Sequence, residues 1–305
     1  MSSKSFYLEP GTNITWFLLF RLSKSVLKRV LADRGSLLTL QRIFFRMICP
    51  PLKITFLGTG TSTGVPMIAC HCEVCMSVNK KDKRLRSSIL VQSETTTFVV
   101  DTTPDFRTQM LRENVDKLDA VLFTHHHKDH IAGLDDVKAF CYFSGKAMDV
   151  YANELTEEAL RREFTYIFSL IKYPGIPEIN LNTIDLTPFM IGDIPVTPVL
   201  VWHYKLPVYG YRFGKFTYIT DANRIDSAEK DKIIGSETLV LNALRHKEHL
   251  SHFTISQAID MVSELQVPNG YFTHISHQLG LHDTVDEELP YGMALAYDGL
   301  QLEFD

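Results

Sequence analysis

No stretch of this chain approaches the ~20 consecutive apolar residues that a helix needs to cross a bilayer. The longest apolar run near the start is only Ile14 to Phe20. A secretory signal is not expected either, because the charged stretch follows that run and no small-residue cleavage site comes after it. Cysteine is scarce and odd in number: there are five, three of them crowded at positions 70, 72 and 75. That spacing reads poorly as a disulfide framework and better as a metal clip in a reducing compartment, so the expected location is the cytoplasm. Low-complexity tracts and short-period repeats are also lacking. So is a net positive charge in the body of the protein. The net charge is −5, but residues 1–49 hold eight Lys/Arg against two acids, which leaves the remainder at −11. An acidic body argues against broad nucleic-acid binding, and there is no long Gly-rich basic arm to grip a tRNA. A small phosphorylated substrate, drawn in by local metal charge, stays compatible.

What is present suits an ordinary globular protein. Hydrophobic residues make up 45% and charged residues 22% of the 305 positions, enough for one large α/β domain with an appendage. The appendage is residues 1–51, basic, aromatic-rich and closed by Cys49-Pro50-Pro51. Ser23 to Leu31 could form a basic amphipathic helix for a membrane surface or a partner. The plainer readings are a disordered extension, or a translation start at Met47.

Residues 52–305 read as the main domain. Lys53 to Leu57 alternates as a strand and runs into the turn-rich Gly58-Thr59-Gly60-Thr61-Ser62-Thr63-Gly64. Ser88 to Gln92 and Thr97 to Val100 are further strands, and Ala120 to Phe123 is a short buried one. Asp135 to Phe143 and Ile255 to Leu265 are helical. Val196 to Trp202, Phe216 to Thr220, Leu239 to Leu241 and Gly270 to Thr273 are strands, each followed by histidine or aspartate. Strands alternating with helices, with polar residues at the strand ends, predict an α/β fold of stacked sheets covered by helices. The aromatic segments Phe164 to Phe168 and Tyr173 to Pro177 carry no assigned role.

The strongest chemical signal is His125-x-His127-x-Asp129-His130. Imidazole and carboxylate together suit zinc, manganese or iron. In a loop leaving a strand, His125 and His127 can turn toward one ion, while Asp129 and His130 serve a second. Four ligands cannot complete two sites, so distant ligands are required.

This H-x-H-x-D-H run after an apolar strand resembles the metallo-β-lactamase superfamily. The resemblance implies an αββα sandwich with a dinuclear site at the edge between the sheets. It also implies a later His, a bridging Asp and a final His, and the chain offers His203, Asp221 and His274 in that order, each at a strand end. Asp101 matches a family Asp that orients ligand histidines.

A second constellation, Cys70-x-Cys72-x-x-Cys75, supplies three thiolates. A closed structural zinc needs four ligands. His277, three residues after His274, is the best fourth; His71 is the alternative, though its flanking cysteines make its geometry awkward. Together with Gly58-Thr59-Gly60, Gly64-Val65-Pro66, Thr273 to Gln278 and Tyr297 to Leu300, the clip resembles the phosphodiesterases of the carbon–phosphorus lyase pathway, which open a phosphoribosyl cyclic phosphate. That resemblance covers about residues 53 to 305 and implies a homodimer. It also extends to His252 to Ala258, the helix-start segment that carries a catalytic His there and in the superfamily's tRNA-processing endonucleases.

The expected mechanism follows from these parts. Two divalent ions (Mn²⁺ or Zn²⁺) sit in the catalytic site, one on His125, His127 and His203, the other on Asp129, His130 and His274, with Asp221 between them. Asp129 orients the attacking water, and His252 protonates the leaving oxygen. A third ion, Zn²⁺, is structural. The substrate is a small, cyclic phosphodiester. The competing enzymatic reading is an acyl hydrolase, a lactonase or thioesterase; a non-enzymatic metal sensor would require a missing ligand, and none is missing. His246 and His249 are expected at the surface.

Overall fold

The computed structural model describes residues 49–169, 171 and 175–305. The expected basic extension lies outside the described residues, apart from its last three, and so do Tyr173 and Pro174.

The first sheet contains β1 (Leu52–Gly58), β2 (Ser88–Gln92), β3 (Thr97–Val100), β4 (Ala120–Leu122), β5 (Met148–Ala152) and β6 (Ile179–Thr183). The second contains β7 (Phe189–Ile191), β8 (Ile194–His203), β9 (Leu206–Phe213), β10 (Phe216–Tyr218), β11 (Thr238–Asn242), β12 (Asn269–Thr273) and β13 (Met293–Leu295). The last strand, β14 (Gln301–Phe304), returns to the first sheet beside β1. The strand orders are β14-β1-β2-β3-β4-β5-β6 and β13-β12-β11-β10-β9-β8-β7.

Burial explains the layering. Along β3, Phe98 and Val100 face the second sheet while Val99 faces helices, so all four residues of the strand are buried. A strand covered on both faces is expected to be apolar throughout rather than alternating. Between the sheets lie Ile54, Phe56, Ile89, Val91, Tyr211, Phe213, Phe216 and Tyr218. Outside the first sheet, Leu90, Val99, Val121 and Val150 pack on Phe106, Met110 and Leu160, from α2 (Phe106–Arg112) and α5 (Glu154–Glu163). Outside the second, Leu239, Leu241 and Phe272 pack on Ile255, Ala258 and Val262 of α7 (Ile255–Glu264). The result is the αββα sandwich.

The expected helix over 135–143 is a 3₁₀ turn, Leu134–Val137, followed by α4 (Lys138–Ser144). Phe164 and Ile167 belong to the core, and the Tyr166 hydroxyl donates to Asp135 (2.6 Å). No helix among the described residues is long and apolar enough to cross a membrane.

In each sheet, parallel strands (β3 to β6; β10 to β13) end at a common edge. Open α/β sheets place their ligand sites beyond such carboxyl ends. The two edges are tied together there: the Tyr209 amide donates to the Thr124 carbonyl (3.1 Å), and the Tyr211 hydroxyl to the Phe123 carbonyl (2.6 Å).

A buried polar knot closes the opposite flank of this edge. The Arg84 guanidinium donates to Thr59 Oγ1 (2.8 Å), to the Ala296 carbonyl (2.5 Å) and to His282 Nδ1 (2.9 Å). Nδ1 can accept from a cation only while the imidazole is neutral. Burial, then the Arg84 charge, accordingly pushes His282 down to about 4 from 6.5. The folded value lies below the unfolded one, so this contribution to stability is present above pH 6.5 and is lost as pH falls through 4. Over that window the wild type should lose about 2 kcal/mol relative to His282→Gln, which keeps an acceptor but does not titrate. Urea unfolding of both proteins at pH 7.5 and 4.5 measures the difference; parallel loss in the two would refute the assignment.

Candidate metal centre

The histidine run leaves β4 directly. Thr124 and His125 are fully buried, and the chain then turns into α3 (Lys128–Ile131), with His127 as the residue before its first turn. This short helix splays Asp129 and His130 toward the second sheet. His203 closes β8, Asp221 lies three residues beyond β10, and His274 follows β12.

Three of these strand ends carry a non-glycine residue in the left-handed region: Asp101 (φ 68°), Asp221 (φ 53°) and His274 (φ 56°). That conformation costs about 1–3 kcal/mol each and persists only where the surroundings impose it, typically at functional sites.

A side chain or carbonyl behind four of the rings fixes their orientation. Asp101 Oδ1 accepts from the Thr124 amide (2.8 Å), and its Oδ2 accepts from Thr124 Oγ1 (2.8 Å) and holds His130 Nδ1 (2.7 Å). Thr124 Oγ1 also contacts His125 Nδ1 (3.0 Å). The Ser251 carbonyl holds His203 Nδ1 (2.8 Å), and Thr61 Oγ1 stands at 3.3 Å from His274 Nε2. The opposite nitrogens therefore point inward.

At the centre, Asp221 Oδ2 lies 3.2 Å from both His130 Nε2 and His274 Nδ1, and Asp129 Oδ2 lies 3.2 Å from His130 Nε2. Asp129, His130, Asp221 and His274 bring one ligand atom each to within 4.8 Å of one another. His203, Asp221 and His252 form a second such group. The rings of His125 and His127 lie 4.6 Å apart, with His203 at 5.9 and 5.1 Å from them. The structure thus gathers all seven expected ligand residues, and brings His252 nearer than a detached proton donor: its ring is 4.5 Å from His203 and 4.9 Å from His274.

Two observations test whether ions fit. First, His125 Nε2, His130 Nε2, His252 Nδ1 and His274 Nδ1 are buried and make no hydrogen bond among the described residues. Each such nitrogen is costly unless something binds it. Second, two ligands at about 2.05 Å from a tetrahedral ion stand about 3.3 Å apart, close to the 3.2 Å separations around Asp221. The residues fit a pair of divalent cations.

Electrostatics agree. Burial works against ionised Asp221, yet His274 and His130 outweigh it and hold its carboxyl well below the usual range. Burial likewise opposes a charged His130, and Asp129, Asp221 and Asp101 outweigh it in the other direction. Burial first, and then the charge of His130, drives His125 and His274 down, and burial pushes His252 down to about 3. The carboxylates are held anionic and the His125, His252 and His274 imidazoles neutral, as ligation requires, while His130 would give up its proton to a bound cation.

The cysteine clip is equally defined. Cys72 precedes α1 (Glu73–Met76) and Cys75 lies inside it. Cys70 Sγ and Cys72 Sγ both stand 3.3 Å from His277 Nδ1, and the four residues could hold one ion. The Cys75 amide and His277 hold the Cys72 thiol down to about 6. His71 is exposed and stands outside the group. All five cysteines are free thiols. His246 and His249 are exposed, although the His249 ring is 5.1 Å from His252.

Sequence reasoning missed Thr61, Thr124 and Ser251. The second and third act from positions adjacent to a histidine, a weak signal; Thr61 is 213 residues from its partner.

Known proteins resemble this chain at three levels. A family model described as "Beta-lactamase superfamily domain" matches residues 96–275. A solved structure described as a new diphosphatase from the PhnP family is 42% identical, with a TM-score of 0.78, over 83% of this chain and 98% of that one. An "Octanoyltransferase" of Porphyromonas gingivalis (strain ATCC BAA-308 / W83) is 39% identical over 258 residues, 83% of this chain but 52% of that protein. The chain therefore spans about half the length of that relative. Zn²⁺-bound PqqB from Methylobacterium extorquens shares the fold, at 18% identity and a TM-score of 0.69, over 83% of this chain and all of that one.

Proposed function

The chain belongs to the beta-lactamase superfamily, and within this hydrolase superfamily we propose that it is a dinuclear metal-dependent phosphodiesterase acting on a small, cyclic phosphodiester. The observation that carries the reading is the convergence of three buried, hydrogen-bond-free imidazole nitrogens, of His130, His252 and His274, on the Asp221 carboxylate.

His125, His127 and His203 would hold one ion, Asp129, His130 and His274 the other, and Asp221 would reach both. Cys70, Cys72, Cys75 and His277 would hold a structural zinc. Bound there, the catalytic pair, Mn²⁺ or Zn²⁺, supplies an acidified water and neutralises phosphate charge. Asp129 accepts a hydrogen bond from the attacking water and turns it toward phosphorus. Asp101, through His130 and Thr124, keeps the rings in register. The departing alkoxide needs a proton, and His252 gives it from Nδ1, which faces Asp221 Oδ1 at 3.8 Å. Burial keeps His252 neutral in the free site; an anionic phosphate beside it offsets that penalty, so the ring gains its proton with the substrate. Five free thiols support a reducing, cytoplasmic setting.

Phosphorus chemistry is favoured by the diphosphatase relative, matched over 98% of its length. The octanoyltransferase name belongs to a protein about half of which this chain matches, and it keeps the acyl reading as the competitor. Hydrolysis of bis(p-nitrophenyl) phosphate by the metal-loaded protein should be manganese- or zinc-dependent and abolished by chelation. Silence on that substrate with full metal content, alongside turnover of an octanoyl thioester or a lactone, would replace the phosphodiesterase by the acyl hydrolase.

A further inference from the structure

The loop after β1 grips the His274 segment twice. At its start, the Ile275 amide donates to the Thr59 carbonyl (2.9 Å), the Thr61 amide donates to the Ile275 carbonyl (3.0 Å), and Thr61 Oγ1 meets His274 Nε2 at 3.3 Å. Farther along, Cys70 and Cys72 meet His277 Nδ1. Between the two grips the loop is pinned by paired hydrogen bonds between Val65 and Arg84 (2.9 and 2.7 Å). Four consecutive residues, His274 to His277, therefore carry an inward-facing ring of the catalytic centre at one end and a ring of the clip at the other.

His274 also needs such restraint. It sits in the left-handed region (φ 56°), where a side chain bearing a Cβ does not rest by itself. Its Nδ1 faces Asp221 only while the backbone holds that turn and something occupies Nε2. Left to the local chain, the turn would relax and the ring would swing off the centre.

We propose that residues 59–76 form a latch for His274, in which Thr61 is a positioning residue and the occupied clip, through His277, tightens the half of the catalytic centre built on Asp129, His130 and His274. The clip then sets the affinity of the catalytic centre for its second ion as well as stapling a surface loop. This inference rests on the metal-centre reading above. It makes the two halves of the centre unequal: the half built on His125, His127 and His203 hangs from β4 and β8, with His203 held by the Ser251 carbonyl, and does not depend on the latch.

Zinc alone is the probe. Wild type, Cys72→Ser, Thr61→Val and Thr61→Ser are loaded with zinc, counted by mass spectrometry for ions per chain, and challenged with a chromogenic chelator to follow release. Cys72 precedes a helix and is exposed, a position that serine suits. Cys72→Ser should lose the clip ion and release one of the two remaining ions at least about tenfold faster, the range known for partners that orient ligands. Thr61→Val should keep the clip ion and show the same acceleration, and Thr61→Ser should restore the wild-type rate. Wild-type release from both Cys72→Ser and Thr61→Val would overturn the latch and leave the dinuclear centre standing. A wild type that holds only the clip ion would overturn both.

Discussion

Asp221→Asn should strip the catalytic centre and reduce phosphodiester turnover by roughly 10⁴-fold. The two oxygens of its carboxylate face different histidines. Oδ2 lies 3.2 Å from His130 Nε2 and from His274 Nδ1, while Oδ1 lies 3.8 Å from His252 Nδ1. Asp221 belongs to both groups of potential ligand atoms that surround the centre. An asparagine fills the same volume and preserves the left-handed turn, which Asn tolerates well, so the backbone should survive. It removes one negative charge from a site where two cations are to reside, and it replaces one acceptor oxygen with an NH₂ that cannot ligate. The Thr220 hydroxyl, which donates to Oδ2 (2.6 Å), would face either the remaining oxygen or a repelling donor. Losing the acidified water and the charge neutralisation costs several kcal/mol each, about 6 kcal/mol together, or some four decades of rate. The checks are ions per chain, the rise in melting temperature on adding zinc, and turnover. The wild type should gain stability with zinc by mass action, and the variant should lose most of that gain. A variant that keeps its full catalytic metal and near-wild-type turnover would remove Asp221 from the bridging role.

The same carboxylate shows how far the sequence could be read. The apolar runs before His125, His203, Asp221 and His274 marked strand ends, and the family resemblance joined the residues there, with His127, Asp129 and His130, into one ordered ligand set. In the structure, those runs are strands whose ends meet at one edge. Periodicity also located the helix that begins at Ile255, and the Thr254-x-x-Gln257 pair that starts it forms a capping box. The cysteine spacing and His277 were legible for the same reason: few residue types do that work, so their pattern is informative.

What escaped the sequence was geometry imposed from elsewhere. The expected strand from Phe216 to Thr220 ends at Tyr218, because the chain must turn before Asp221 can face inward. Nothing local marks that turn, since Asp101, Asp221 and His274 occupy a conformation for which glycine is the usual sign. The carbonyl of Ser251, which fixes His203, has no side-chain signature at all. Thr61 and Arg84 act on partners 213 and 198 residues away, beyond any local pattern. The edge strands β6, β7, β13 and β14 are short and only partly buried, so their hydrophobic signal is weak.

His252→Ala separates the chemistry from the assembly of the site. His252 lies two residues before Thr254, the N-cap of α7, is 8% exposed, and turns Nδ1 toward Asp221 without a hydrogen bond. Two roles fit that placement. As a proton donor to the departing oxygen it is worth about 10²–10⁴ in rate, and its removal leaves the metal count unchanged. As a ligand, grouped with His203 and Asp221, its removal costs an ion as well. The donor reading predicts that His252→Ala keeps both catalytic ions and hydrolyses an alkyl phosphodiester about 10³-fold more slowly, with a much smaller loss on bis(p-nitrophenyl) phosphate. The deficit should shrink as the leaving group becomes more acidic, because a stable phenolate needs little protonation while a poor alkoxide needs all of it. A series of aryl and alkyl phosphodiesters therefore reads the role directly: a steeper dependence on leaving-group pKa in the variant marks the donor. A uniform loss across the series, accompanied by loss of an ion, would make His252 a ligand and move the proton source elsewhere in the site.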